Sequence, residues 1–365
     1  MKLTKIELTG FKSIRDFSID LAPLNVFIGA NGVGKSNLVS FFKLLNDMTA
    51  EHLQASVAKS GWAEALLHYG SKQTPQLTAK LHFTSKATKS TYYLKLESTA
   101  DDTLFFADEA VEFTKTGETS KKKVSLGKGH QESKLLEPEI QSNTTVHFVN
   151  KLLQHCRVYH FHDTSETAYV KKYCNINNNR YLMANAGNLA AFLCNLKHKH
   201  NAHYQQIRNI IRMVAPLFDD FVLAPSPSNE QTILLEWKET CSDKYFNASY
   251  LSDGTLRMMC LTTLLLQPQL PELIVIDEPE LGLHPYAINL LATMLTRASK
   301  HAQIIISTQS SNLVDQFSPE EVIVVERDKQ GASTFKRLES AKLSQWLSDY
   351  SLAELWEKNI LGGRP

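Results

Sequence analysis

The chain has no C-x-x-C pair, no excess of either charge, no apolar run long enough to span a bilayer and no repeat. Its five cysteines (Cys156, Cys174, Cys194, Cys241 and Cys260) are odd in number and far apart. That spacing excludes a disulfide framework and a cysteine-ligated zinc site, and it reads as reduced thiols of a cytoplasmic protein. With 39 basic and 38 acidic side chains the formal net charge is +1. No global field therefore draws the chain onto nucleic acid or an anionic membrane, and such binding would need a local patch. Nowhere do about eighteen apolar residues run together. Met1-Lys2-Leu3-Thr4-Lys5 leads into strand-like alternation without an apolar signal core, so neither export nor a membrane span is expected. Low-complexity tracts and long heptad runs are also missing, which excludes an extended coiled coil.

The remaining composition is that of a globular protein: 365 residues at 43% hydrophobic content suffice for one large or two medium domains with a sizeable core. Residues 3 to 28 read as strands, ending in the buried run Leu24-Asn25-Val26-Phe27-Ile28. Leu38, Phe41, Phe42 and Leu45 follow at i, i+3, i+4 and i+7, the apolar face of a helix packed on a sheet. Alternating segments between 76 and 127 predict an antiparallel side sheet, and the polar, Lys-rich stretch 115–145 predicts a loop. From 165 to 248 the apolar spacing (Leu189, Phe192, Leu193, Leu196; Ile207, Ile210, Ile211, Val214) predicts a mostly helical insertion. After Ser249, strand and helix alternate through Leu273–Ile276, Ile304–Ile306 and Val322–Val325, the pattern of a parallel sheet covered by helices. The predicted organisation is a first lobe at 1–164, the insertion at 165–248, a second lobe at 249–340 and a helical tail at 341–365.

Between the first buried strand and its helix lies Gly29-Ala30-Asn31-Gly32-Val33-Gly34-Lys35-Ser36, followed by Asn37. This is G-x-x-x-x-G-K-[ST] in the context its chemistry requires. Gly29, Gly32 and Gly34 let the backbone, with Asn31, wrap phosphate oxygens, and the helix start offers free N–H groups. Lys35 reaches the β/γ-phosphates and Ser36 ligates Mg²⁺. The second buried strand, Leu273-Ile274-Val275-Ile276, delivers Asp277 and Glu278 at its C-terminal end. There Asp277 would hold Mg²⁺ and Glu278 would act as general base on the attacking water.

Leu251-Ser252-Asp253-Gly254-Thr255, just upstream, opens a helix that Ser252 can cap. It resembles the L-S-G-G-Q signature of ABC ATPases in its SMC/RecF-like form. In that superfamily the serine and glycine of one protomer, here Ser252 and Gly254, meet the γ-phosphate held by the other, so the resemblance implies an ATP-sandwich dimer. Asp277-Glu278-Pro279-Glu280-Leu281-Gly282-Leu283-His284-Pro285 resembles the D-E-P-E-x-x-L-H-P segment of the same enzymes. His284 would lie near the subunit junction or serve helix entry. Ser307-Thr308-Gln309-Ser310 stands where relatives have T-H-S. Gln309 can donate to phosphate but carries no charge, which fits a slow ATPase. Phe11-Lys12-Ser13 resembles the F-K-S that approaches the phosphates, so the resemblance adds Lys12 and Ser13 to the nucleotide set. The usual Q-loop glutamine is missing: Tyr159-His160-Phe161-His162-Asp163 occupies its place.

From end to end, to Gly362-Gly363-Arg364-Pro365, the order of motifs resembles compact bacterial RecF/OLD-like, ABC/SMC-type AAA family ATPases. The resemblance implies a P-loop NTPase head of α/β class, with a mixed parallel core sheet, an antiparallel side sheet and a helical insertion. It also implies ATP and Mg²⁺ as cofactors. Such proteins are commonly the ATPase half of two-gene systems whose other half is a TOPRIM or HNH nuclease, as in Septu- and retron-associated antiphage defence. The chain ends soon after the ATPase core, so nuclease activity is expected in the partner. The competing reading is a RecF-like ATPase of DNA repair or maintenance that binds DNA or RNA itself. Lys197, Arg208 and Arg212, near His198, His200 and His203, make the best local basic patch for it. A transporter subunit fits neither the insertion nor the L-S-D-G-T signature.

Overall fold

The computed structural model describes residues 2–118 and 120–363. Strands β1 (Lys2–Phe11) and β2 (Ile14–Asp20) precede β3 (Leu24–Ile28), and the P-loop helix Lys35–Met48 follows. Next come β4 (Gln76–Thr84), β5 (Thr88–Ser98), β6 (Leu104–Lys115) and β7 (Lys122–Gly127), then β8 (Cys156–Tyr159). Two short sheets use β9 (Cys174–Asn175), β10 (Phe218–Val222), β11 (Pro225–Ser226), β12 (Asn229–Ile233), β13 (Glu236–Glu239) and β14 (Tyr245–Asn247). The second lobe supplies β15 (Leu273–Asp277), β16 (Gln303–Thr308), β17 (Val322–Arg327) and β18 (Ser333–Arg337).

The core sheet runs β18-β17-β3-β16-β15-β8, parallel except for the β17–β18 pair. Its strands alternate between two cores, because successive side chains of a strand point to opposite faces. Ile274, Ile276, Ile304 and Ile306 face the helices Leu189–Lys199, Asn201–Val214, Asp253–Leu266 and Pro285–Ala298. Leu273, Val275, Ile305 and Ile323 face the P-loop helix and the antiparallel sheet β2-β1-β4-β5-β6-β7. The P-loop helix is held between these layers, so Val39, Leu44 and Met48 are buried along with Leu38, Phe41, Phe42 and Leu45.

Two expectations are corrected. The Lys-rich stretch 115–145 is not a loop throughout: β7 pairs antiparallel with β6 as the edge of the side sheet. Leu126 is buried and Lys121, Lys122 and Lys123 are exposed, and charge on an edge strand discourages further pairing. Residues 144–154 then form a helix capped by the Asn143 side chain, with Val146, Val149 and Leu153 buried. The segment 165–248 is α-helical only at Leu189–Lys199 and Asn201–Val214, with a single 3-10 turn at Tyr169–Lys171 before them. Phe218, Phe221, Ile233 and Trp237 instead bury strands of the small sheets, a tertiary preference that helix-spaced counting over a mixed segment does not see. In the tail, Leu352–Glu357 buries Leu355 and Trp356. No helix among the described residues is long and apolar enough to cross a membrane.

Candidate nucleotide site

Three parallel strands bring the motifs to one level. Ile28 of β3 is in register with Thr308 of β16, and Ser307 of β16 with Asp277 of β15. The residues that follow these strands, Gly29, Gln309 and Glu278, therefore emerge together at the carboxyl edge of the sheet, where open α/β sheets bind ligands. The register of the sheet thus brings the P-loop, the carboxylate pair and the Gln309 segment to one edge.

Lys35 is buried, and its Nζ donates to the carbonyls of Gly29 at 2.5 Å and Ala30 at 2.8 Å. Burial lowers its pKa, while Glu278, Asp277 and Glu280 oppose that shift, so the ammonium faces an acidic wall. Ser36 and Asn31 are exposed at the loop mouth. Gly34 has φ +116, and a Cβ there would meet Ser333 Oγ at 2.1 Å and Ser13 Oγ at 2.6 Å. Those hydroxyls form the back wall of the loop. Asn37 Nδ2 donates to Ser13 Oγ at 2.6 Å, Ser13 Oγ lies 2.7 Å from Ser333 Oγ, and Ser333 donates to the Val33 carbonyl. Ser13 and Asn37 thus brace the loop from behind. Lys12 has φ +48 and sets its ammonium 5.6 Å from the Phe11 ring. It lines a cleft of about 410 Å³ with Lys43, His52 and Lys59 on the flank of the P-loop helix.

Across the sheet, Ser307 Oγ donates to Asp277 Oδ1. Glu278 has φ +42, a region that costs a non-glycine residue about 1–2 kcal/mol, and its N–H is tied to the Ser307 carbonyl at 2.8 Å. Gln309 Nε2 donates to Glu278 Oε1. Glu280, two residues on, is buried and accepts from Thr308 Oγ1 at 2.5 Å and from the Gln309 N–H at 3.2 Å.

Ser252 caps its helix by accepting from the Thr255 N–H at 3.2 Å, and it is exposed. Gly254 packs against the Gly282 carbonyl, which a Cβ would meet at 2.3 Å. Among the described residues neither Ser252 nor Gly254 bonds to the P-loop of its own chain. Arg257 of the same helix, to which sequence reasoning gave no role, donates to the carbonyls of Phe161 (3.2 Å), His162 (2.9 Å) and Leu281 (2.7 Å). It thereby ties the segment after β8 and the turn after Glu278 to the signature helix. Its signal in the sequence was only an arginine five positions past Ser252.

The histidines have local duties. His284 Nδ1 accepts from the Tyr286 N–H at the start of helix Pro285–Ala298, the helix-entry reading. His198 and His203 bond backbone carbonyls of Cys194 and Leu266. No group of three or more metal-ligating side chains is found among the described residues. The basic patch is partly paired: Lys197 and Arg208 share Asp220 at 3.2 and 3.9 Å, and Arg212 shares Asp219 with Lys238.

The sheet order and this constellation define a P-loop ATPase with a head of the SMC type. A solved SmcHead bound to the C-winged helix domain of ScpA matches with a TM-score of 0.61 at 16% identity, over 94% of this chain and 100% of that one. The Smc head of Pyrococcus furiosus, with an extended coiled coil and bound to the C-terminal domain of ScpA, matches with a TM-score of 0.59 at 14% identity, over 95% and 99%. The family model described as an AAA ATPase domain matches residues 1–183, just over half of the chain, and the chain belongs to that family. Residues 175–315 match a second family model, described as "AAA domain, putative AbiEii toxin, Type IV TA system". A segment of 71 residues is 38% identical to the DNA replication and repair protein RecF of Acidothermus cellulolyticus, 19% of each chain. The match thus spans about a fifth of the length of that curated relative.

Proposed function

We propose that the chain is an ATP-dependent dimerising switch that regulates or scaffolds a separate nuclease, of TOPRIM or HNH type, in antiphage defence. One observation carries the dimer. Lys35, Asp277, Glu278 and Gln309 converge at one sheet edge, while Ser252 is exposed at the start of its helix and neither it nor the half-buried Gly254 bonds to that loop. A nucleotide bound at the P-loop of one copy would then be closed by the signature of a second. The antiphage part of this reading draws on the likeness of the motif order to the ATPase half of two-gene defence systems.

In this reading the N–H groups of Gly29, Asn31, Gly32 and Gly34 with Lys35 hold the phosphates. Ser13 and Asn37 keep that loop in shape from behind, and Lys12 flanks it. Ser36 and Asp277 fit a magnesium ion: a hard cation takes one or two protein oxygens beside phosphate and water, and both residues offer oxygen only. When bound, that ion neutralises phosphate charge. Glu278 takes the proton of the attacking water, and Gln309 orients its carboxylate.

The test is light scattering of Glu278→Gln with ATP and Mg²⁺, followed by affinity purification of the same tagged variant from its native host. A closed dimer that retains a stoichiometric nuclease supports the proposal, whereas a monomer at saturating ATP removes it. The alternative, a RecF-like DNA-binding ATPase, draws on the matching RecF segment. Lys197, Arg208 and Arg212, the patch it would use, share Asp219 and Asp220 with Lys238, which lowers but does not cancel their positive charge. Recovery of DNA alone would favour it.

A further inference from the structure

Glu280 lies beside the reacting groups but has no place in the nucleotide chemistry proposed above. Its side chain is buried, with the residue 8% exposed. One carboxylate oxygen, Oε1, takes two bonds from consecutive residues at the end of β16: the Thr308 hydroxyl at 2.5 Å and the Gln309 N–H at 3.2 Å. Thr308 Oγ1 in turn accepts from the Ser310 N–H at 3.0 Å. The other oxygen, Oε2, is buried with no hydrogen-bond partner. Burial is the main cause of a raised Glu280 pKa, with the charge of Glu278 adding to it, so the group tends toward its neutral form.

This is an expensive arrangement for a merely structural turn. A buried carboxyl with an unpartnered oxygen costs stability that a smaller polar residue would not. Its two bonds go to the residues that aim one side chain, Gln309, whose amide donates to Glu278. The backbone of the turn makes its own bonds independently, from Leu281 N to Glu278 O at 3.2 Å and from Leu283 N to Glu280 O at 3.0 Å.

We propose that Glu280 is a positioning residue for ATP hydrolysis: by clamping Thr308 and the Gln309 backbone, it holds the Gln309 amide on the Glu278 carboxylate. The inference rests on the reading of Glu278 as the base. It acts through Gln309, and its acceptor oxygen, rather than its charge, is what matters.

Steady-state hydrolysis of Mg-ATP by the full chain tests it, using Glu280→Ala, Glu280→Gln, Gln309→Ala and the Glu280→Ala/Gln309→Ala double variant. Glu280→Ala should lower kcat about 10- to 100-fold with KM within about twofold, since a transition-state group is misplaced while ATP binding is untouched. Glu280→Gln keeps the acceptor and should stay within about threefold of wild type. The double variant should be no slower than Gln309→Ala. Independent, multiplying losses, a rise in KM with the fall in kcat, or a Glu280→Gln as slow as Glu280→Ala would each overturn the proposal. If Glu280→Ala does not fold, Thr308→Val, which removes the hydroxyl donor alone, should give the same kcat-only loss, and unchanged turnover there also overturns it. Hydrogen exchange at the Gln309 and Ser310 amides without nucleotide should quicken in Glu280→Ala and Thr308→Val. That readout stands even if Lys35→Ala turned over ATP like wild type, the result that would remove the ATPase assignment of this site.

Discussion

Ser13 and Ser333 stand 320 positions apart in the chain, yet their hydroxyl oxygens meet at 2.7 Å behind the phosphate loop. The contact joins the turn between β1 and β2 to β18, and a second bond, from Ser333 N to Ser13 O at 2.8 Å, runs beside it. Ser333 also donates to the Val33 carbonyl. The shape of the loop is therefore held from both ends of the chain. Ser333→Ala should cost about 1–3 kcal/mol, the usual penalty for leaving buried groups unpaired, and weaken nucleotide binding several-fold. Gly34→Ala should be more severe, because its φ of +116 and the 2.1 Å approach to Ser333 Oγ leave no room for a methyl group. Isothermal titration with a non-hydrolysable ATP analogue reads both; undiminished affinity in Gly34→Ala would contradict the loop geometry.

Replacing Glu278 by Gln keeps the shape of the side chain and removes its basicity. Turnover should fall about 100- to 10,000-fold while ATP binding stays within about twofold. Single-turnover hydrolysis measured beside equilibrium binding separates the two, and retained turnover would place the base elsewhere.

The signature helix meets the turn after Glu278 through Gly254, whose missing Cβ leaves space for the Gly282 carbonyl. Gly254→Ala should therefore push the exposed end of that helix out of place. ATP binding by the monomer should persist, whereas ATP-dependent dimerisation should weaken at least about tenfold, as close backbone contacts tolerate no added methyl. Sedimentation velocity with Glu278→Gln as the background resolves the species.

In the side sheet, the buried Glu109 accepts from Tyr92 Oη at 2.6 Å, Ser133 Oγ at 2.6 Å and Lys134 N at 3.1 Å, and its Oε2 lies 2.9 Å from His130 Nε2. Three of these partners are donors that point at both carboxyl oxygens, so Glu109→Gln would turn its NH₂ group against at least one of them. A loss of about 2–4 kcal/mol in denaturant unfolding is expected, with ATP binding unaffected because the cluster lies away from the phosphate loop.

The raised pKa of Glu280 has a pH signature. Burial is its first cause, Glu278 adds to it, and the bonds from Thr308 and Gln309 oppose it. A folded-state pKa above the unfolded 4.5 means that the native state binds more protons. Its contribution to stability is full below that value and is lost as pH rises through the folded value. Glu280→Gln stays neutral throughout, so its stability relative to wild type should improve as pH rises from about 5 to about 8. Thermal melts of the two proteins across that range give the comparison; a constant difference would mean an ordinary carboxyl.

Much of the nucleotide edge was legible because it is local. Gly29 to Ser36, and Ile276 to Glu278, are short strings whose spacing follows from how a strand ends and a helix begins. The edge strand β7 was not, since Lys121-Lys122-Lys123 reads as solvated loop unless β6 is known to lie beside it. The patch of Lys197, Arg208 and Arg212 looked free for the same reason: Asp219 and Asp220 come next to it only after the chain turns at residues 215–218.

By itself the sequence determined the phosphate loop, the carboxylate pair and the helix-opening serine, all of which depend on residues within about one turn or one strand of each other. Only the tertiary structure decided that Ser13 braces the loop, that Arg257 joins three segments and that Glu280 clamps Gln309. Those contacts depend on which strands lie side by side, and a buried polar group takes whatever partner the folded chain brings within reach.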